Sequence, residues 1–236
     1  MDSGILRDGR RAQLSDKAST YVRGLIMSGG LRPGELVRPE IVGEELGISS
    51  TPAREALQAL RVEGFLESVP RIGFVVAELT GQDIRDLFRV QALIAGELAA
   101  LAAQCASNED IAELDALHHE MIAAASRKNF DLLEEKNHAF HRQVNYIAGS
   151  RKILWALGLM TRYVPRQFYS TIPGWPEATA EEHAAILESI RREDPESARR
   201  SMHDHIGHSG HLLAEHFDAR LAAARATKAA ANDTGV

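Results

Sequence analysis

The chain has 236 residues, 44% apolar and 25% charged, which suits a soluble globular protein of one large or two modest domains and excludes a disordered or collagen-like chain. Its net charge of −6 lends nucleic-acid binding no general support, so any such binding must come from a local surface; ten basic and ten acidic residues stand through Ala77, and the deficit lies beyond. A single cysteine, Cys105, excludes an internal disulfide framework and fits a reducing cytoplasm, no apolar run reaches the roughly 18 residues of a membrane helix, and "MDSGILRDGRR" lacks the apolar core of a signal peptide.

Leu14 to Met27 reads as a helix with Ala18, Val22, Leu25 and Ile26 on one face. Gly29-Gly30 stops it, "RPGE" makes a turn, and Pro39 to Leu46 forms a second helix closed by Gly47. "SSTP" at 49–52 opens a third, because small hydroxyls can accept from the free N–H groups of a helix start and a first-turn proline loses no helical bond. "FLESV" and "FVVAE" read as strands joined by "PRIG". Three helices followed by a hairpin is the element order of a winged helix-turn-helix, expected over residues 1–78.

Beyond Leu79 the pattern is helical almost throughout, with Thr80 as a plausible N-cap. Six helices are expected near 80–105, 109–127, 130–148, 150–170, 177–193 and 195–224, with "TIPGWPEAT" as the one long loop. The fold class is therefore mainly α, an N-terminal winged helix-turn-helix plus a C-terminal all-α helical bundle over 79–225, with a flexible tail at 226–236.

On the third helix, Ala53, Ala56, Leu57 and Leu60 form the buried face, which leaves Thr51, Arg54, Gln58 and Arg61 outside. A recognition helix enters the major groove by its amino-terminal end, where small residues permit close approach and an arginine can donate twice to guanine. On the helix alone, solvated surface positions are the better reading of Arg54 and Gln58. The preceding helix and the following hairpin reverse that balance.

"LRPGELVRPEIVGEELGISSTPAREALQALRVEGFLESVPRIGFVV" resembles the DNA-binding domain of GntR-family transcription regulators. The matching residues are Pro33-Gly34, Leu46-Gly47-Ile48, Ser49-x-Thr51-Pro52-x-Arg54-Glu55-Ala56-Leu57, Leu60, Glu63-Gly64 and Gly73. The resemblance implies DNA contacts from Ser49, Ser50, Thr51, Arg54 and Gln58, and from Arg71 and Gly73 at the wing tip. Ser50 replaces a residue that is usually basic in that family, which removes one charge-assisted contact. Glu55 is expected to hold the domain together, since an acid would repel phosphate.

The chain carries ten histidines. Asn137 and His141 share a helix face at a spacing of four, and His183 and His205 lie on two other expected helices. Three imidazoles and an oxygen ligand would suit a divalent transition metal, although a histidine on a helix is more often structural. That default covers His118, His119, His138, His203, His208, His211 and His216.

Residues 80 to 220 are similar to the all-helical, ligand-sensing FCD domain of the FadR-type subfamily, through Asn137-x-x-Phe140-His141, His183-x-x-Ile186-Leu187 and Met202-x-x-His205, which lies 22 residues beyond His183. The resemblance implies a metal (zinc, nickel or manganese) held by Asn137, His141, His183 and His205. Asparagine stands where the family often has aspartate, so the ion would keep its full charge and favour an anionic co-ligand such as a small carboxylate. Positions that hold arginine and glutamate in many relatives appear here as Gln91 and Ala95. Gln91, Arg162 and Arg166 are therefore the effector-binding candidates.

The resulting expectation is a cytoplasmic, dimeric transcription regulator, a repressor whose two winged domains read an inverted repeat of duplex DNA under control of a small organic acid, and not an enzyme. The alternative is a metal-dependent enzyme with a DNA-binding appendage. Glu181 and Glu182 are its nearest candidate bases, and both are expected to face solvent.

Overall fold

A computed structural model describes residues 3–164, 169 and 172–233. Two compact units divide the chain, one up to Leu79 and one from Thr80, with Tyr163 and Val164 falling in the first. Among the described residues no helix is long and apolar enough to cross a membrane.

The first unit runs α1 (Ser3–Ser28), β1 (Leu36–Val37), α2 (Pro39–Leu46), α3 (Ser50–Val62), β2 (Leu66–Val69) and β3 (Gly73–Val76). Its core joins Ala18, Val22, Ile26 and Met27 of α1 to Ala53, Ala56, Leu57 and Leu60 of α3, all of them buried. Burying each large side chain of this set stabilises the unit by about 1.5–3 kcal/mol. Gly47 ends α2 at φ 64, and its N–H returns to the carbonyls of Glu44 and Gly43. A left-handed residue here costs a glycine nothing and turns the chain sharply into α3. The sheet order is β1-β3-β2, antiparallel throughout, with Leu66 opposite Val76 and Val69 opposite Gly73. β1 was not expected, because two residues are too short to display a period of two. α1 begins at Ser3 rather than Leu14, since its first turns carry no apolar stripe to read.

The second unit runs α4 (Gly81–Cys105), α5 (Asn108–Ser126), α6 (Phe130–Ile147), α7 (Arg151–Thr161), α8 (Trp175–Arg191) and α9 (Pro195–Asp233). Thr80 caps α4 as expected, in a reciprocal box with Asp83, and Ser107 with Asp110 does the same for α5. The long α4 and α9 lie together at close range: a Cβ on Gly210 would sit 2.3 Å from Phe88 Cβ. Asp218 of α9 accepts from the Gly81 N–H at 2.9 Å, which ties the far end of that pairing to the start of α4. α7 stops at Thr161, earlier than expected, and α8 starts inside "TIPGWPEAT" with Pro176 in its first turn. α9 continues to Asp233, through residues assigned above to a flexible tail; their alanines and lysine favour helix. Residues 234–236 of that tail lie outside the described residues.

Candidate functional site

Two constellations stand out, one in each unit. In the first, Ser49 is the N-cap of α3 by its backbone (φ −70, ψ 159), but its hydroxyl makes no capping bond, contrary to the sequence expectation. The helix start rests on backbone geometry, with Pro52 buried in the first turn. Ser49, Ser50, Thr51, Arg54 and Gln58 are all exposed, opposite the buried Ala53–Leu60 face. Arg54 Nη2 lies 3.4 Å from Glu40 Oε1. Glu55 is turned toward α1, where Arg11 donates to it through Nε at 3.0 Å and also through Nη2.

Arg71 and Gly73 are exposed at the turn between β2 and β3. Arg71 has φ 67 and Gly73 φ 122. The left-handed region costs a non-glycine residue roughly 1 kcal/mol or more, so the tip conformation at Arg71 is maintained by the strands on either side.

In the second unit, α6, α8 and α9 bring His141, His183 and His205 together, with one ligand-type atom from each lying within 4.8 Å of the others. Ring centroids are 4.5 Å apart for His183 and His205, 5.0 Å for His141 and His183, and 5.1 Å for His141 and His205. His183 is fully buried and packs edge-on to Phe140 at 4.6 Å. Its Nδ1–H donates to the Thr179 carbonyl at 2.6 Å, so its Nε2 is the bare nitrogen, and that atom is buried with no partner. Asn137, one turn before His141 on α6, is buried with its Oδ1 likewise unpartnered. Two orphaned acceptor atoms in such a place are costly unless something electropositive meets them.

Burial, followed by the neighbouring His205, holds both His141 and His183 well below the usual imidazole range; His138 adds to the effect at His141, and His141 at His183. Neutral imidazoles are the form that ligates metal. Three imidazole nitrogens at this spacing fit a divalent transition metal.

Sequence reasoning missed Glu182. Expected to face solvent, it is only 26% exposed, and it accepts from His205 Nδ1 at 2.7 Å and from His208 Nδ1 at 2.5 Å. Burial opposes its ionisation, but these two bonds outweigh burial and leave its pKa below the usual carboxylate value. His208, assigned above to the structural default, is thus tied to the cluster through Glu182.

Gln91 is buried on α4, Arg162 is exposed at the C-cap of α7, and Arg166 lies outside the described residues. Other histidines have ordinary structural partners: His118 bonds the Ala180 carbonyl and His119 the Asp115 carbonyl.

A winged helix-turn-helix unit joined to an all-helical unit with a buried histidine cluster defines a sensor-type DNA-binding regulator. The chain belongs to the bacterial regulatory proteins of the gntR family, which match residues 14–76, and carries an FCD domain at residues 86–208. It is 26% identical over 226 residues to the Glc operon transcriptional activator of Escherichia coli K12, covering 85% of this chain and 89% of that one. It is 23% identical over 196 residues to the HTH-type transcriptional repressor GlaR of the same organism, covering 79% and 89%. The fold matches that of E. coli McbR/YncC with a TM-score of 0.66 at 20% identity, over 86% of this chain and 98% of the other. The chain is a ligand-responsive DNA-binding transcription regulator; the enzyme alternative falls, because the family and its relatives are regulators.

Proposed function

We propose that the chain is a cytoplasmic, homodimeric repressor whose hold on an inverted-repeat operator is changed by a small carboxylate bound at a metal in the helical unit. In this reading residues 1–78 bind DNA and 79–225 sense the ligand. Ser49, Ser50, Thr51, Arg54 and Gln58 enter the major groove, and Arg71 and Gly73 meet the backbone or minor groove. Their common exposure supports the assignment.

The observation that carries the sensor half is the convergence of His141, His183 and His205, with His183 Nε2 buried and unpartnered there and Asn137 Oδ1, one turn before His141, buried and unpartnered as well. Asn137, His141, His183 and His205 would hold zinc, nickel or manganese. When bound, the ion supplies a positive anchor for a carboxylate, since none of the four ligands cancels its charge. Gln91, buried on α4, Arg162 and Arg166 are the effector contacts of this reading.

Self-association is supported by an apolar face on α7, where Leu154, Trp155 and Leu159 are exposed.

Regulation requires the ligand to favour one arrangement of the protein over another. A coupling of about 1–3 kcal/mol changes DNA affinity roughly 5–150-fold. Operator titration with a panel of small carboxylates, before and after chelation, tests the proposal. An acid that shifts operator affinity in the metal-loaded protein and not in the chelated protein is the expected result. Equal affinity under all conditions, for an acid shown to bind, overturns the sensor reading.

A further inference from the structure

The geometry points to Glu182 as the positioning residue of the histidine cluster: it fixes His205 in the tautomer whose Nε2 is bare and places a carboxylate one ring away from the ligand position. This rests on the metal reading above.

The argument starts from donors and acceptors. An ionised carboxylate can only accept, so the 2.7 Å contact to His205 Nδ1 places the ring proton on Nδ1. When His205 carries only that one ring proton, the form in which an imidazole can ligate, Nε2 is left with its lone pair. That Nε2 lies 3.1 Å from His141 Nε2, on the side where the cluster converges. His183 is oriented in the same way by an acceptor-only group, the Thr179 carbonyl. Both orienting groups belong to α8. They differ in charge: the carbonyl has none, whereas Glu182 places a full negative charge one ring away from the ligand position.

Glu182 is itself held. Its Oε2 meets His205 and its Oε1 meets His208, so both oxygens are engaged by α9. His205 is nearly fully buried at this contact. A carboxylate hydrogen-bonded to the outer nitrogen of a ligating histidine sets the ring's orientation and raises its basicity toward the ion.

A mere tie between α8 and α9 would have the same contacts but different consequences. Losing a tie lowers stability. Losing a positioning carboxylate changes the tautomer of His205 and the affinity for metal in a protein that remains folded.

The test uses the full-length chain, wild type, Glu182→Gln and Glu182→Asp, stripped of metal. Nitrogen-15 NMR of the imidazoles reads the His205 tautomer, and competition against a chromogenic chelator reads the affinity for zinc(II). Wild type is expected to carry the His205 proton on Nδ1. Glu182→Gln keeps the fold by circular dichroism, acquires a population with the proton on Nε2, and binds zinc(II) about 10–100-fold more weakly. Glu182→Asp, which keeps the charge on a shorter arm, falls between the two.

A wild-type His205 protonated on Nε2 overturns the inference whatever the variants do. So does a folded Glu182→Gln with wild-type zinc(II) affinity and an unchanged tautomer. If wild type binds no metal, the metal reading fails by itself, and a tautomer that still shifts in Glu182→Gln supports the hold of Glu182 on His205. If Glu182→Gln does not fold, the wild-type tautomer and the Glu182→Asp affinity decide.

Discussion

Arg54 of α3 reaches back to Glu40 of α2, with Nη2 3.4 Å from Oε1 and the two side chains 65% and 64% exposed. An exposed pair of this kind is worth about 0–1 kcal/mol, so DNA can displace Glu40 at little cost. On an operator recovered by binding selection, Arg54→Ala is expected to weaken specific binding by about 1–3 kcal/mol per half-site. Glu40→Gln is expected to tighten binding modestly, because an acid near the phosphates is removed. Fluorescence anisotropy at one fixed salt concentration checks both, since salt alone moves such affinities by orders of magnitude. Wild-type affinity in Arg54→Ala excludes it as the reader.

Gly210 faces Phe88 where α9 lies on α4, and a Cβ there would stand 2.3 Å from Phe88 Cβ. Gly207, one turn earlier, has nothing within 4 Å of its missing Cβ. Alanine is favoured over glycine in a helix by about 1 kcal/mol. Gly207→Ala should therefore stabilise the helical unit by up to about that amount. Gly210→Ala should destabilise it by about 1–3 kcal/mol, because crowding exceeds the propensity gain. Urea unfolding of the two variants side by side gives the sign of each.

Much of this was legible in the chain itself. Proline, glycine and apolar spacing marked α2 and α3, and Thr80 announced the start of α4. Ala53, Ala56, Leu57 and Leu60 fell on the buried face that their spacing required. The histidine cluster was visible only through family resemblance, because spacing places Asn137 and His141 on one face but says nothing of which helices meet. Glu182 was read only as a solvent-facing neighbour of His183, and its tie to the cluster was not visible. Adjacent to His183 in sequence, it projects about 100° around α8 from it, and only the position of α9 reveals that this direction leads to His205 and His208. The polar start of α1 and the two-residue β1 carried too little periodicity to be read.

Asn137 offers a test of the charge argument. Its Oδ1 is buried and unpartnered, so Asn137→Asp would bury an ionisable group with nothing to meet it in the metal-free protein. Thermal unfolding should show that variant melting below wild type when stripped and recovering or exceeding it with saturating zinc(II), as expected when binding favours only the folded form. The added negative charge should also weaken any carboxylate co-ligand. If zinc(II) shifts the melting of Asn137→Asp no more than that of Asn137→Ala, position 137 is not a ligand.

Trp155 on α7 is 65% exposed, beside Leu154 and Leu159, which are also exposed. If this face is covered by a second copy, Trp155→Glu should place a charge in an apolar contact and shift the protein toward monomer at micromolar concentration. Sedimentation velocity reads this directly. A wild type that sediments as a monomer removes the dimer from the proposal, and with it the inverted repeat.

Acid should destabilise the metal-free protein before it affects the carboxylates. His141 and His183 have pKa values well below the ordinary 6.5 of a free imidazole, owing first to burial and then to His205. In the unfolded chain both return to the ordinary value, so below pH 6.5 the unfolded state binds more protons than the folded one. Stability then rises with pH across that interval and falls as pH drops from about 7 toward the lowered values, where the folded protein is finally protonated too. Chemical denaturation of the chelated protein at pH 7.5, 6.5 and 5.5 should give decreasing stability, with proton uptake on unfolding. Replacing His183 by glutamine should flatten the slope. A wild type equally stable at all three pH values would mean that the two imidazoles are not held neutral by burial.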